Sequence, residues 1–321
     1  MSETQQSMNP SRHFDELPDA PPKRKIRLSW SGKLGIAVLV FWAIIVVIGP
    51  SISPYHEAEF LEESLFIVPG SNEKYPDTDF QPPSRIVLLG SDYMGRDTLS
   101  RILFGARTTI GISFIATILA YLIGVTLGIA AAVGYRFQYR GFTIIELDTV
   151  LSRLNDALLS IPSIMLGLVM IAALGSTIPL LIVLTGIIYA ASVFRIARSL
   201  GQEVMVSDFV EAARVRGEGL WWIITREILP NVAMPLATDF GLRFVWVILF
   251  ISALSFLGLG VQPPMSDWGS MVKENLPGLI YGSIAPIVPS LAIATLTISV
   301  NMIVDDISAH SGGKLAKRMI S

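Results

Sequence analysis

The chain contains no cysteine and only three histidines, His13, His56 and His310, scattered along 321 residues. Disulfide staples, thiolate metal sites and cysteine nucleophiles are therefore excluded, and the histidines are too far apart in sequence to suggest a metal cluster. Charge is scarce as well. Charged residues make up 16% of the chain, hydrophobic residues 52%, and the mean hydropathy is +0.59. Soluble domains carry about 25% charged residues, so a large soluble core is disfavoured. The formal net charge of −2 gives no reason to expect nucleic acid as a partner, and in a lipid-embedded chain the placement of charge carries more information than its sum.

What is present is long apolar segments. Spanning about 30 Å of hydrocarbon takes roughly 20 mostly apolar residues. Six stretches come close to this without an internal charge: 34–50, 110–134, 157–175, 178–194, 244–260 and 284–304. A buried helix in a soluble protein would show polar residues on one face at this length. The expected fold is an all-α integral membrane protein with six transmembrane helices, and the lipid bilayer is its first partner.

The first span follows a polar tail, 1–33, that includes Lys23, Arg24, Lys25, Arg27 and Lys33. No small-residue cleavage site follows it near Pro50, so it reads as a retained anchor. Placing the tail in the cytoplasm also puts 135–156, 195–243 and 305–321 there, and these parts together hold most of the 24 Lys and Arg. The positive-inside rule supports that orientation, with the amino terminus cytoplasmic. The expected layout is a cytoplasmic tail (1–33), a first span (34–50), an external segment (51–109), a core of five further spans (110–308) and a cytoplasmic carboxy-terminal tail (309–321).

The external segment ends in 98–110, where Leu99, Ile102, Leu103 and Ala106 recur at helical spacing opposite Arg101 and Arg107. This predicts a short amphipathic helix on the outer surface leading into the second span. Within that span Gly124, Gly128 and Ala132 repeat every four residues. Such spacing permits close helix approach, and ordinary glycine use in membrane helices explains it equally well.

Carriers driven by ions need ionisable groups inside the bilayer to bind the coupling ion. The six apolar cores have none. Asp239 and Arg243 stand one helical turn apart just before the fifth core, where a structural bridge is the simplest reading, and Asp305 and Asp306 fall at the end of the sixth. No nucleotide site is visible either: 90–97 has two glycines at phosphate-loop separation, but Arg96 and Asp97 replace the required Lys and Ser or Thr. A membrane enzyme is disfavoured because no His, Cys or carboxylate cluster lies near a span. Energy for transport is therefore expected from another chain.

The connection 195–236 is too long to be only a link and should have its own structure. Ser207 and Asp208 offer capping for a helix over 209–216, with Val210, Ala212 and Ala213 available for packing and Gly217 placed to end it. A second helical stretch over 220–229 is expected to stop at Pro230. Trp221 and Trp222 suit the boundary between water and lipid. The array Glu211-Ala212-Ala213, three residues, Gly217, eleven residues, Leu229-Pro230 resembles the signature loop of binding-protein-dependent ABC importer permeases.

Two further stretches are similar to the dipeptide, oligopeptide and nickel importer branch. One runs Leu89-Gly90-Ser91-Asp92, Gly95-Arg96-Asp97, Ser100-Arg101 and Gly105-Ala106-Arg107. The other is Leu254-Ser255-Phe256-Leu257-Gly258-Leu259-Gly260-Val261-Gln262-Pro263-Pro264 with Trp268-Gly269 and Met271. The resemblance covers roughly 89–306; one departure is Glu227, where these permeases commonly have His. It implies a type I importer permease fold in which Glu211, Ala212, Ala213 and Gly217 touch an ATP-hydrolysing subunit. It also implies a second homologous permease, two cytoplasmic ATPases that carry ATP and magnesium, a periplasmic solute-binding protein, and location in the bacterial inner membrane. The chain itself would have no cofactor and perform no chemistry. For Arg96, Asp97 and Arg101 contact with the binding protein stays open beside a structural role. Gly90, Gly95 and Gly105 read as turn formers, and Pro263 and Pro264 as terminators of the fifth span.

Overall fold

The computed structural model describes residues 29–61, 79–85, 87–134 and 144–318. The basic residues of the amino-terminal tail before Ser29, most of 62–84 and the start of the segment 135–156 lie outside these. The described residues are almost entirely helical, and their one β-bridge pairs Ser91 with Asp97. Five helices are long and apolar enough to cross a membrane, and a sixth crossing is made if one bent pair counts as a span.

Helix α1 (Trp30–Ile52) starts at Ser29, whose hydroxyl accepts from the Gly32 amide at 3.1 Å. Its own amide donates to the Asp306 carboxylate at 3.1 Å, so an acid from the far end of the chain sits at this helix amino terminus. Helix α2 (Thr98–Gly134) is continuous over 37 residues. The separate surface helix expected over 98–110 is instead its first turns. Nothing in the sequence breaks the helix there, and Arg101, expected to face outward, is buried among ionic partners.

The third span is also revised. Helix α3 (Ile144–Ser160) and helix α4 (Ser163–Leu174) meet at 87°. Pro162 stands at the break, where it lacks an amide donor and keeps Ile161 out of helical geometry. Helix α5 (Ile178–Met205) begins where expected and continues well past Phe194, taking up the first part of the presumed loop.

Helices α2 and α5 form the most extensive pairing in the bundle. A Cβ on Gly124 would lie 2.6 Å from Val193 Cβ, and one on Gly128 would lie 2.7 Å from the Phe194 carbonyl oxygen. The four-residue repeat thus serves close approach of two backbones, which settles the open alternative.

After helix α6 (Asp208–Val215), the chain turns at Gly217, forms a short helix α7 (Leu220–Trp222) and one wide π turn (Ile223–Ile228), and enters helix α8 (Leu229–Phe256) without a break. Pro230 does not stop the second loop helix. It occupies the first turn of α8, while the Leu229 amide donates to Ile224 O, five residues back. The π turn gives the proline ring its room, since an ordinary α turn would bring it against the carbonyl four residues before. Pro263 and Pro264 do not end the fifth span either: α8 ends at Gly258 (φ +89), with Leu259 N bonded to Leu254 O and Gly258 N to Ser255 O, each at 2.9 Å.

Helix α9 (Trp268–Asn275) and a 3₁₀ turn (Leu276–Tyr281) form the connection to helix α10 (Ile287–Arg318), which extends through most of the expected carboxy-terminal tail. Three packed clusters follow one another along the bundle. One joins Trp42, Ile102, Phe244, Trp268 and Leu296, the next Ile112, Ile171, Leu184 and Ile251, and the last Ile129, Val133, Ala197, Val210 and Ile228.

Candidate functional site

The last cluster carries a helical knob. Val210 and Ala213 are fully buried against Ile129 and Val133 of α2, Met205 of α5, and Ile223 and Ile228 of the π turn. That anchoring leaves the other face of α6 free. Glu211 and Ala212 are exposed, as are Phe209 and Val215, the latter 82%. Ala212 therefore does not pack inward as expected. Ser207 occupies the capping position but its side chain makes no cap bond; Asp208 and Glu211 supply negative charge to the first turn instead.

Gly217 adopts φ +84, and the bonds Glu218 N to Ala213 O (3.1 Å) and Gly217 N to Arg214 O (2.9 Å) close the helix end. Any side chain there would be strained, so the glycine is dictated by the turn. Glu211 meets Arg214 at 3.1 Å, but with 58% of its side chain exposed the pair holds the carboxylate only loosely. Leu229 packs partly on the same cluster and Pro230 is exposed at the helix start, so these two shape the base of the knob. Sequence reasoning missed Phe209, Val206 and Val215. Their signal was present: apolar residues occur on both faces of a short charged helix, more than its packed side needs. Trp221 is 76% exposed at the same end.

The opposite end of α2, about 50 Å away at 1.5 Å rise per residue, carries a buried ionic clasp. Asp92 Oδ2 accepts from Arg96 Nε at 2.7 Å and Arg101 Nη1 at 2.5 Å, and its Oδ1 accepts from the Arg96 and Met94 amides at 2.8 Å. Glu274 Oε2, from α9, accepts from Arg101 Nη2 at 2.9 Å and Arg96 Nη2 at 3.3 Å. Two positive and two negative groups balance, and Ser266 Oγ accepts from Arg101 Nε at 3.2 Å. Gly90 and Gly95 sit at φ +75 and +71, in the turns that bring Asp92 to this point, whereas Gly105 lies inside α2 under Trp268.

Asp97 is the cap of α2: its Oδ2 accepts from the Ser100 amide at 2.8 Å and the Ser100 hydroxyl at 2.5 Å. Arg96, Asp97 and Arg101 are all buried within the chain and engaged by the partners just named. Nearby, Asp267 caps α9 by accepting from Ser270 N at 3.1 Å and also accepts from Thr109 Oγ1 at 2.8 Å. Its complete burial raises the carboxyl above the usual aspartate range, against the lowering effect of its hydrogen bonds to Thr109, Ser255 and the Ser270 and Gly269 backbone.

A third polar group lies between the two ends. Arg243 Nη2 donates to Asp239 Oδ1 at 3.0 Å, and the Tyr121 hydroxyl donates to Asp239 Oδ2 at 2.5 Å. The sequence places this pair just before the fifth span; the structure places it inside α8, because that helix begins at Leu229. The apolar core 244–260 itself stays free of charge. The bridge itself is present as expected.

A lipid-compatible bundle with a helical knob at one end and a charge-locked connection at the other has the build of a membrane transport subunit. The family model for the binding-protein-dependent transport system inner membrane component matches residues 124–315, and the chain belongs to that family. It is an inner-membrane permease subunit with the type I importer fold. Similar proteins include a glutathione transport system permease, GsiD, of Pectobacterium atrosepticum, 33% identical over 75% of this chain and 77% of its own length. A dipeptide transport system permease, DppC, of Alkalihalophilus pseudofirmus is 32% identical over 73% and 74%. A peptide transport system permease, SapC, of Escherichia coli is 29% identical over 89% and 93%.

Proposed function

We propose that this chain is one of two permeases in an ATP-driven importer that moves peptides or a similar small solute across the inner membrane. The knob is the observation that carries this reading. An amphipathic helix anchored by Val210 and Ala213 presents Glu211, Ala212, Phe209 and Val215 outward, and a left-handed glycine fixes its direction. A surface of that kind suits insertion into a groove of a partner, with the carboxylate available for a charge-assisted bond to a basic residue. The partners proposed are two cytoplasmic ATPases holding ATP and magnesium, since the phosphate-loop pattern is lacking from this sequence. With the ATPases on the knob side, the amino terminus is cytoplasmic and the Asp92 clasp faces the solute-binding protein. The names of the relatives, which cover dipeptide, peptide and glutathione transport, support a peptide-like cargo.

The test uses the complete transporter with Glu211→Lys and Gly217→Pro in this chain. Both variants should insert in the membrane yet retain less ATPase on purification and import less solute. Unchanged ATPase retention together with unchanged uptake in both variants contradicts the docking role.

A further inference from the structure

We infer that the Arg243 guanidinium, held by Asp239 where α8 meets α2 toward the knob end of the bundle, is a docking point for the carboxylate of the solute during translocation. This rests on the peptide-importer reading above. Placement comes first. Asp239 and Arg243 lie near the middle of α8 (Leu229–Phe256), and Tyr121 lies near the middle of the apolar part of α2 (Thr98–Gly134). Tyr121 and the neighbouring Leu236 pack on the knob-side cluster, so the group lies toward the knob end of the bundle and away from the clasp.

Exposure comes second. The side chains of Arg243 and Asp239 keep 16% and 13% of their surface open. Charged side chains on lipid-crossing helices almost always face the bundle interior or water, so the open edge faces a neighbouring permease or a wet pathway between the two. Flanking it are Phe114, Phe240 and Tyr121, with ring centroids of Tyr121 and Phe240 5.0 Å apart and of Phe114 and Phe240 6.1 Å apart. Tyr189, from α5, reaches α8 one turn further on, its hydroxyl donating to the Trp246 carbonyl at 3.1 Å.

Third is the imbalance within the pair. Both oxygens of Asp239 are engaged, one by Arg243 and one by Tyr121, so the carboxylate is saturated. Arg243 is not: Nη2 donates to Asp239, while Nε is buried without a hydrogen-bond partner among the described residues. A guanidinium offers five donors in a fork matched to a carboxylate. An arriving carboxylate engages this spare capacity as the pathway reorients, and Asp239 with Tyr121 acts as the positioning pair. The ligand class is a small solute with a free carboxylate beside apolar or amide groups, which a short peptide satisfies.

The experiment uses proteoliposomes holding the complete transporter with its receptor, supplied with an isotope-labelled mixture of short peptides. Peptide imported and ATP hydrolysed are measured together. Arg243→Gln should import about tenfold less peptide per ATP, the worth of one charge-assisted bond, with assembly and receptor-stimulated ATP hydrolysis retained. The double variant Asp239→Arg with Arg243→Asp keeps an ion pair but inverts it, and should stay defective. Normal import by Arg243→Gln, restoration by the inverted pair, or failure of both Arg243→Gln and Arg243→Lys to assemble makes the pair an internal brace and overturns the inference alone. A wild-type transporter that imports none of the peptides overturns the peptide reading and the inference together.

Discussion

At the scale of single residues, the side chains most tightly specified by their surroundings are Asp92 and Arg101. Each Arg101 nitrogen has a partner, and two of these are acids. Arg101→Met should lower stability by about 3–5 kcal/mol, because Asp92 and Glu274 are left buried with less compensating charge; thermal unfolding of the purified transporter would register this as a clear drop in midpoint. Arg101→Lys should recover only part of it, since an ammonium cannot reproduce the fork. The helical pattern around Arg101 was legible in the sequence, but its burial was not. Apolar periodicity marks which residues want to be inside, and an arginine goes inside only when acids await it; Glu274 lies 173 positions away. Asp267 invites a pH test. Its carboxyl is raised from 3.8 by burial, so the folded state holds this proton more tightly than the unfolded chain does. Its contribution is fully present below pH 3.8 and is lost as pH rises through the higher folded value. Asp267→Asn should remove that decline while keeping an acceptor for Thr109, which unfolding midpoints measured across pH would reveal.

At the scale of elements, the α2 and α5 pairing depends on small residues, and two glycines of the same helix give a controlled comparison. Gly128→Leu places a side chain where Phe194 O and Ala197 already sit, whereas a Cβ on Gly111 meets nothing within 4 Å. Gly128→Leu should sharply reduce folded, membrane-extracted protein and Gly111→Leu should be tolerated, as size-exclusion profiles of the two would show. The existence of the apolar segments was readable because each carries its own hydropathy. Their ends were less so. Helix α8 reaches back past Pro230 since a π turn absorbs the ring, α2 begins twelve residues before its apolar core, and the third segment bends at Pro162. Backbone hydrogen bonding extends a helix beyond the part that prefers lipid, and hydropathy records only that part. The knob was legible in outline, since its glycine and its buried pair announce themselves by type and spacing. Phe209 and Val215 were not assigned because apolar residues are expected inward, and these two face out.

At the scale of the whole molecule, α2 ties the parts together. Its first turn is gripped by the clasp, its middle holds Asp239 through Tyr121, and its last turns bury the anchoring face of the knob. In the proposed importer, a movement imposed on the knob by closure of ATPases has a rigid helix through which to reach the far end of the bundle. The measurement that tests this account most directly is solute accumulation in proteoliposomes containing this chain with its companion permease, ATPases and binding protein. Accumulation should require both ATP and the binding protein, should persist when ion gradients are dissipated, and should fall when Glu211→Lys is introduced. Uptake that continues without ATP and collapses on addition of an uncoupler would contradict the account.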